Sequence, residues 1–326
     1  MNSLMKLVPK LSSLHHVWLL ISLTLFFQQT SHLTFASGTP THHGKKRVVE
    51  KRTKHSVSLK KRSINLKLLK TKVVKTKAST KGTTMSSASV LGLKNVAAKG
   101  HQLKGTVYYL ASGHGGPDPG AIGHYGKQAL AEDEYAYDVT IRLARALMEQ
   151  GATVFMIIKD PNDGIRNESV LKLDHDEVTY PNQRIPLNQT MRLRQCTDAV
   201  NTLHRKRKEA YQRMVTIHVD SRSKGQTIDV FFYHHEQSKV GKRLAQHIHR
   251  SFKSGYKRSQ PTRSYLGTVS DRSSLYVVRN SHPPTVFIEL GNIRNEKDQR
   301  RFLLADNRQA LANWICAGLQ ADYTLR

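Results

Sequence analysis

The sequence predicts an α/β fold in which helices cover both faces of a central sheet. Three observations carry this expectation. Short apolar runs rich in β-branched and aromatic residues recur from about residue 104 onward. Segments with apolar residues three and four apart lie between them. The two kinds alternate along the chain, the order in which layered α/β domains are built.

The elements follow in sequence. Thr106 to Ala111 (TVYYLA) reads as a buried strand and is followed by a glycine-rich turn. Ala136, Val139, Leu143, Ala146 and Leu147 have helical spacing over 132–150. Glu132, Asp133 and Glu134 stand in that helix's first turn, where acids favour the dipole, and Gly151 is a natural stop. Residues 152–158 (ATVFMII) form the next strand. A helix is expected over 189–208, strands over 214–219 (MVTIHV) and 227–233 (TIDVFFY), and a helix over 236–252. A last strand covers 284–290 (PTVFIEL), and helix covers 299–319 with a break near Asp306. Residues 160–189 lack periodicity and are rich in Asp, Asn and Pro; a connection this long usually carries function.

The N-terminal third differs. Lys6 and Lys10 precede an apolar run of 11 residues, Val17 to Phe27, and small residues follow around Ala36. This is the pattern of a secretory signal peptide over 1–36. The run falls short of the ~20 residues a membrane helix needs, so cleavage is expected rather than anchoring, with export to the periplasm or cell envelope. Residues 37–100 read as a disordered basic linker: between 41 and 100 there are 17 Lys and Arg against one acid, Glu50, and no Phe, Tyr or Trp. Such a segment buries too little apolar surface to offset its ordering entropy. The formal net charge of +28 calls for a polyanionic partner. Anionic envelope polymers held by the 38–100 arm fit an exported chain. Nucleic acid is not expected, because the arm has no aromatic residues for base stacking. The folded domain is then expected over 101–326. Cys196 and Cys316 permit one disulfide, but two buried thiols are the expected state.

Four polar residues stand where apolar runs end or helices begin: His114, Glu132, His218 and Glu289. Two histidines and a carboxylate can hold a catalytic Zn²⁺, with one position left open. A second carboxylate can then move protons during amide hydrolysis. Spacing alone leaves a structural role open for each histidine, since the chain has 17. Glu134 competes with Glu132, although two residues along a helix it faces another side. His175 and the His234-His235 pair read as polar loop and strand-end residues, and Asp118 as a turn residue. Neither HExxH nor the HxxE of metallocarboxypeptidases occurs around His114.

The segment SGHGGPDPGAIG at 112–123 resembles the opening motif of the zinc-dependent N-acetylmuramoyl-L-alanine amidases of the Amidase_3 family. Glu132-Asp133-Glu134 with Asp138, Thr216-Ile217-His218-Val219-Asp220, and Glu289-Leu290-Gly291-Asn292 resemble its later blocks, in the family's order. The resemblance implies a single α/β domain with a central, mostly parallel twisted sheet of about six strands. It implies His114, Glu132 and His218 as Zn²⁺ ligands and Glu289 as the catalytic carboxylate. The implied substrate is the amide between N-acetylmuramic acid and L-alanine in peptidoglycan, and a protein activator is a further candidate partner. Ser112, Asp220 and Asn292 depart from the family pattern, which bears on rate and substrate preference. They also motivate the alternative, a non-catalytic peptidoglycan-binding or regulatory module on the same fold.

Overall fold

The computed structural model describes residues 90, 92–221 and 227–326. The expected signal peptide and nearly all of the basic linker lie outside the described residues. Among the described residues eleven strands and six helices follow in order: β1 (Thr106–Ser112), β2 (Ile122–Tyr125), β3 (Gln128–Ala131), α1 (Glu132–Glu149), β4 (Thr153–Met156), β5 (Ile158–Lys159), β6 (Val178–Thr179), β7 (Gln183–Arg184), α2 (Gln189–Arg205), β8 (Tyr211–Asp220), β9 (Phe231–His234), α3 (Lys239–Ser259), β10 (Thr268–Asp271), α4 (Tyr276–Asn280), β11 (Thr285–Asn292), α5 (Glu296–Leu303) and α6 (Ala305–Thr324).

Six strands form the central sheet in the order β10-β9-β11-β8-β1-β4. All neighbouring pairs are parallel except β9 with β11. Strands buried on both faces need continuous apolar runs, and β1 and β11 are buried at every position. The pleat sorts their side chains between two cores. Tyr108, Leu110, Val215, Ile217, Val286 and Ile288 pack with α1, α3 and α6. Val107, Tyr109, Ala111, Met214 and Phe287 pack on the opposite face with residues of α2 and α4. The sheet is therefore covered on both sides, as the alternation of elements predicts.

The helix starts are set by local chemistry. Asn188 accepts from Met191 N at 3.0 Å to cap α2, and Ser238 accepts from Gly241 N at 2.9 Å to cap α3. Asn295 caps α5 through Lys297 N and Asp298 N. The expected break near Asp306 falls at Leu304, and Asp306 is the acid in the first turn of α6.

Three features differ from the sequence reading. The folded region begins before 101: Val90 and Leu93 are buried in the main core, and Lys99 N and Gly100 N donate to Glu149 O. The expected strand at 227–233 is ordered as strand only from Phe231. The 160–189 stretch contains two short strands, β6 and β7, that join β5 in a small antiparallel sheet beside the end of β1. Cys196 and Cys316 are both free and buried. Among the described residues no helix is long and apolar enough to cross a membrane.

Candidate metal centre and cleft

Parallel strands β1, β8 and β11 lie side by side, so their C-terminal ends gather at one edge, where open α/β sheets place their sites. His218 and Glu289 are direct partners in the β8–β11 register. Both fall on the same pleat phase as Met214 and Phe287, which puts them on the face covered by α2 and α4. His114 follows β1 and takes a positive φ of 65°, a conformation that turns its ring back over the strand ends. Glu132 is the first residue of α1.

These placements bring three of the predicted residues together. Ligating atoms of His114, Glu132 and His218 all lie within 4.8 Å of one another. Glu132 bridges the pair: Oε2 is 3.3 Å from His114 Nε2, and Oε1 is 3.0 Å from His218 Nδ1. Backbone amides hold the carboxylate from behind, Ala121 N to Oε2 at 2.8 Å and Val219 N to Oε1 at 3.0 Å. The His218 ring stacks on Phe287 at 4.2 Å between centroids, with an interplanar angle of 15°. The competing Glu134 is turned away: it pairs with Arg166 at 2.8 Å and accepts from Asp174 N.

Backbone without side chains makes room for the cluster. A Cβ on Gly113 would stand 2.2 Å from His218 Nδ1, and one on Gly120 would stand 2.7 Å from both Glu132 Oε2 and His114 Cδ2. Both glycines are cradles that a side chain would fill.

The charges point to a cation. Burial works against ionising Glu132, but His114 and His218 outweigh it and hold the carboxyl well below its usual range. Burial likewise opposes charge on His114, yet Asp118 and Glu132 push that ring up to about 10. Burial holds His218 below the usual histidine value. An anionic carboxylate between two imidazoles, in a pocket that draws positive charge onto one ring, fits a divalent metal with nitrogen and oxygen donors.

Glu289 is 9 % exposed, and its Oε2 has no hydrogen-bond partner. Burial first, then the charges of Glu132 and Asp220, raise its carboxyl well above the ordinary value. It faces the same cleft, about 770 Å³ in volume, that the three other residues line. Arg192, Arg272 and Arg294 also line it, Arg192 paired with Asp118.

One functional residue exceeds its sequence reading. Asp118 is more than a turn residue: its Oδ2 is 2.9 Å from His114 Nδ1 and also accepts from Arg192, while Oδ1 accepts from Gly120 N. A carboxylate on the far nitrogen of a histidine fixes the tautomer and aims the other nitrogen. Its place four residues after His114 was the available signal. His175 stands apart from the cluster, its Nδ1 2.8 Å from Gly116 O. His234 is buried rather than solvated. Of the departures from the family pattern, Ser112 and Asp220 line the cleft, whereas Asn292 is fully buried and accepts from Arg294 N to shape the turn after β11.

A mostly parallel six-stranded sheet, whose strand ends meet the first residue of α1, thus gathers two histidines and two carboxylates in a cleft that could hold a metal ion. The family model of the N-acetylmuramoyl-L-alanine amidases, Amidase_3, matches residues 109–321. The chain belongs to this family. It is 25 % identical over 226 residues to the germination-specific N-acetylmuramoyl-L-alanine amidase of Bacillus subtilis (strain 168), covering 68 % of this chain and 81 % of that protein. The fold matches the CwlD amidase of Clostridioides difficile, solved in complex with the GerS lipoprotein. There the TM-score is 0.51 and the identity 18 %, over 68 % of this chain and all of that one. It also matches the amidase Ami1 of Mycobacterium smegmatis, with a TM-score of 0.51 and 17 % identity over 69 % of this chain and 99 % of that one.

Proposed function

We propose that the protein is an exported zinc-dependent amidase that cleaves the bond between N-acetylmuramic acid and L-alanine in peptidoglycan. The observation that carries this reading is the convergence of His114, Glu132 and His218 on one point, with the partnerless carboxyl of Glu289 in the same cleft. The two imidazoles and the Glu132 carboxylate would hold Zn²⁺. When bound, the ion supplies Lewis acidity at the scissile carbonyl.

The remaining work falls to the chain. Glu289 takes a proton from the attacking water onto its carboxylate and delivers it to the departing alanine nitrogen. Its burial beside Glu132 and Asp220 raises its proton affinity, which suits the first transfer, uptake of the proton from water. Asp118 keeps His114 in the tautomer that presents Nε2. Arg272 and Arg294, which also line the cleft, fit a substrate whose peptide stem carries carboxylates.

The signal-peptide pattern supports export, and the basic 38–100 arm supports retention on anionic envelope polymers. A protein activator remains a candidate partner; the C. difficile relative is described in complex with a lipoprotein. The test is incubation of the zinc-loaded protein with purified peptidoglycan and detection of peptides with a new L-alanine amino terminus. Wall binding without any such release, at full zinc occupancy, would instead favour the non-catalytic module.

A further inference from the structure

The chain is poor in acids, with 24 Asp and Glu against 52 Lys and Arg, yet Asp160, Asp163, Asp174 and Asp176 fall within one short stretch. Three of them meet in space: carboxylate oxygens of Asp160, Asp174 and Asp176 lie within 4.8 Å of one another. Like charges so close raise the folding free energy unless a proton or a cation stands between them.

The cluster is built rather than incidental. Asp160, only 1 % exposed, spends Oδ1 on the amides of Asn162 (3.0 Å) and Asp163 (2.7 Å). Its other oxygen, Oδ2, is buried with no partner. Asp174 is fixed by its own amide, which donates to Glu134 at 2.9 Å, and its Oδ1 is likewise buried and partnerless. Asp176 is exposed and leaves the cluster open to solvent; the Asn162 amide reaches its carboxylate. Among the described residues no Lys or Arg pairs with these three acids, because the nearby Arg166 is engaged by Glu134 and Asp163.

The donor set selects the ligand. It is all oxygen, with neither imidazole nor thiol, which suits a hard cation. Two oxygens on opposite sides of a Ca²⁺ at about 2.4 Å stand about 4.8 Å apart, and Ca²⁺ tolerates irregular sites completed by water. We propose that Asp160, Asp174 and Asp176 form a calcium site, distinct from the cleft, that fastens the 160–177 segment onto the domain. Burial, aided by the charges of Asp163 and Asp174, pushes the Asp160 carboxyl up to about 6, the behaviour of an acid short of positive charge. The buried trio Asp133, Glu134 and Glu177 is the weaker candidate, since Arg166 and the Gly116 amide already satisfy two of its members.

The consequence reaches the cleft. The same segment supplies Glu177, which accepts from Gly116 N at 2.6 Å, and His175, whose ring meets Gly116 O. Gly116 lies in the turn that carries His114. Calcium at Asp174 and Asp176 would therefore brace that turn without touching the zinc ligands.

The full chain in its zinc-loaded form tests this with two probes, CaCl₂ in calorimetry at fixed ionic strength and Tb³⁺ in luminescence. Tyr137, whose hydroxyl reaches Asp160 O, is the sensitiser. The expected result is a Tm rise of about 5 °C once Ca²⁺ exceeds its Kd a hundredfold. Tyrosine-sensitised Tb³⁺ emission should appear and be displaced by Ca²⁺. Asp174→Asn combined with Asp176→Asn should abolish both signals. If the double variant does not fold, the exposed Asp176→Asn alone should weaken the calcium response at least tenfold. Neither signal in the unaltered chain at about 10 mM Ca²⁺, beyond the range of weak protein sites, would overturn the proposal. So would an undiminished response in the foldable variant.

Discussion

Glu289 stands directly opposite His218 across the β8–β11 pair, so two residues 71 positions apart in the sequence share one pleat and one cleft. Their nearness follows from strand register alone. It separates two roles that chemistry would otherwise confuse: His218 is tied to Glu132 at 3.0 Å, while Glu289 Oε2 has no partner.

The substitution Glu289→Gln should therefore cut kcat on peptidoglycan by roughly 10²–10⁴-fold, the usual worth of general acid–base transfer. Zinc stoichiometry, read by elemental analysis, should stay at the value of the unaltered chain. Zinc loss in the variant would move Glu289 into the ligand set and overturn its assigned role.

Asp118 supports His114 rather than the substrate. Asp118→Asn removes the charge on His114 Nδ1 and weakens the pairing with Arg192. Zinc affinity should drop about 10–100-fold, the range for losing a carboxylate behind a ligating histidine. Competition with a chromophoric chelator measures it. Unchanged affinity would leave Asp118 as the turn residue its sequence position suggested.

The three central strands were legible because burial on both faces demands unbroken apolar runs, and TVYYLA, MVTIHV and PTVFIEL are such runs. The hairpin β2–β3, strands β6 and β7, β10 and α4 were missed. Each is five residues or shorter, too brief for either periodicity to register. Val90 and Leu93 were lost in the basic linker for the same reason: the run VLGLKNVAA at 90–98 is too short and irregular to give a pattern, though tertiary contact buries both. The candidate site residues were proposed by motif order and Asp118 had its i+4 place after His114 as a signal, whereas the contact of Glu177 with Gly116 spans 61 residues and no spacing encodes it.

Glu177 sets a pH dependence of stability. Burial is the main cause that pushes its carboxyl from the ordinary 4.5 up to about 7, against the pull of the Gly116 amide. The folded state thus keeps a proton that the unfolded chain releases earlier. Stability from this residue is intact below about 4.5 and falls as pH rises toward 7. Glu177→Gln keeps an acceptor for Gly116 N but cannot ionise. Urea unfolding at pH 5 and pH 8 should show the variant gaining about 2 kcal/mol on the unaltered chain between the two. A constant difference would contradict the assignment.

Asp138 tests how the 160–177 segment is held at its middle, where Arg166 N donates to its Oδ1. Its carboxylate, fully buried, pairs with Arg142 at 2.8 Å and with the fully buried Arg308 at 2.6 Å. Arg308 also donates to the carbonyls of Arg166 and Glu168. Removing one partner of a buried pair leaves uncompensated charge, so Asp138→Ala should cost about 3–5 kcal/mol in chemical denaturation. A cost below 1 kcal/mol would mean that the carbonyls alone satisfy both guanidinium groups.

Gly113 offers the sharpest test of the cradle. A methyl group there would meet His218 Nδ1 at 2.2 Å and Cε1 at 2.3 Å, well inside contact distance. The ring cannot swing aside freely, because it stacks on Phe287 and is tied to Glu132. Gly113→Ala must therefore displace the imidazole, the β1 end, or both. Crowding of this kind costs about 1–3 kcal/mol, which a domain with this much buried apolar surface should survive. The metal centre should not: a ligand moved by an ångström no longer meets the other two. The expected outcome is a folded protein, melting a few degrees lower, with zinc affinity reduced at least tenfold and peptidoglycan hydrolysis lost. Calorimetry and zinc competition on the same sample separate the two effects. Normal zinc affinity in this variant would show that His218 can leave its place and the centre still form, which the three-residue arrangement does not allow.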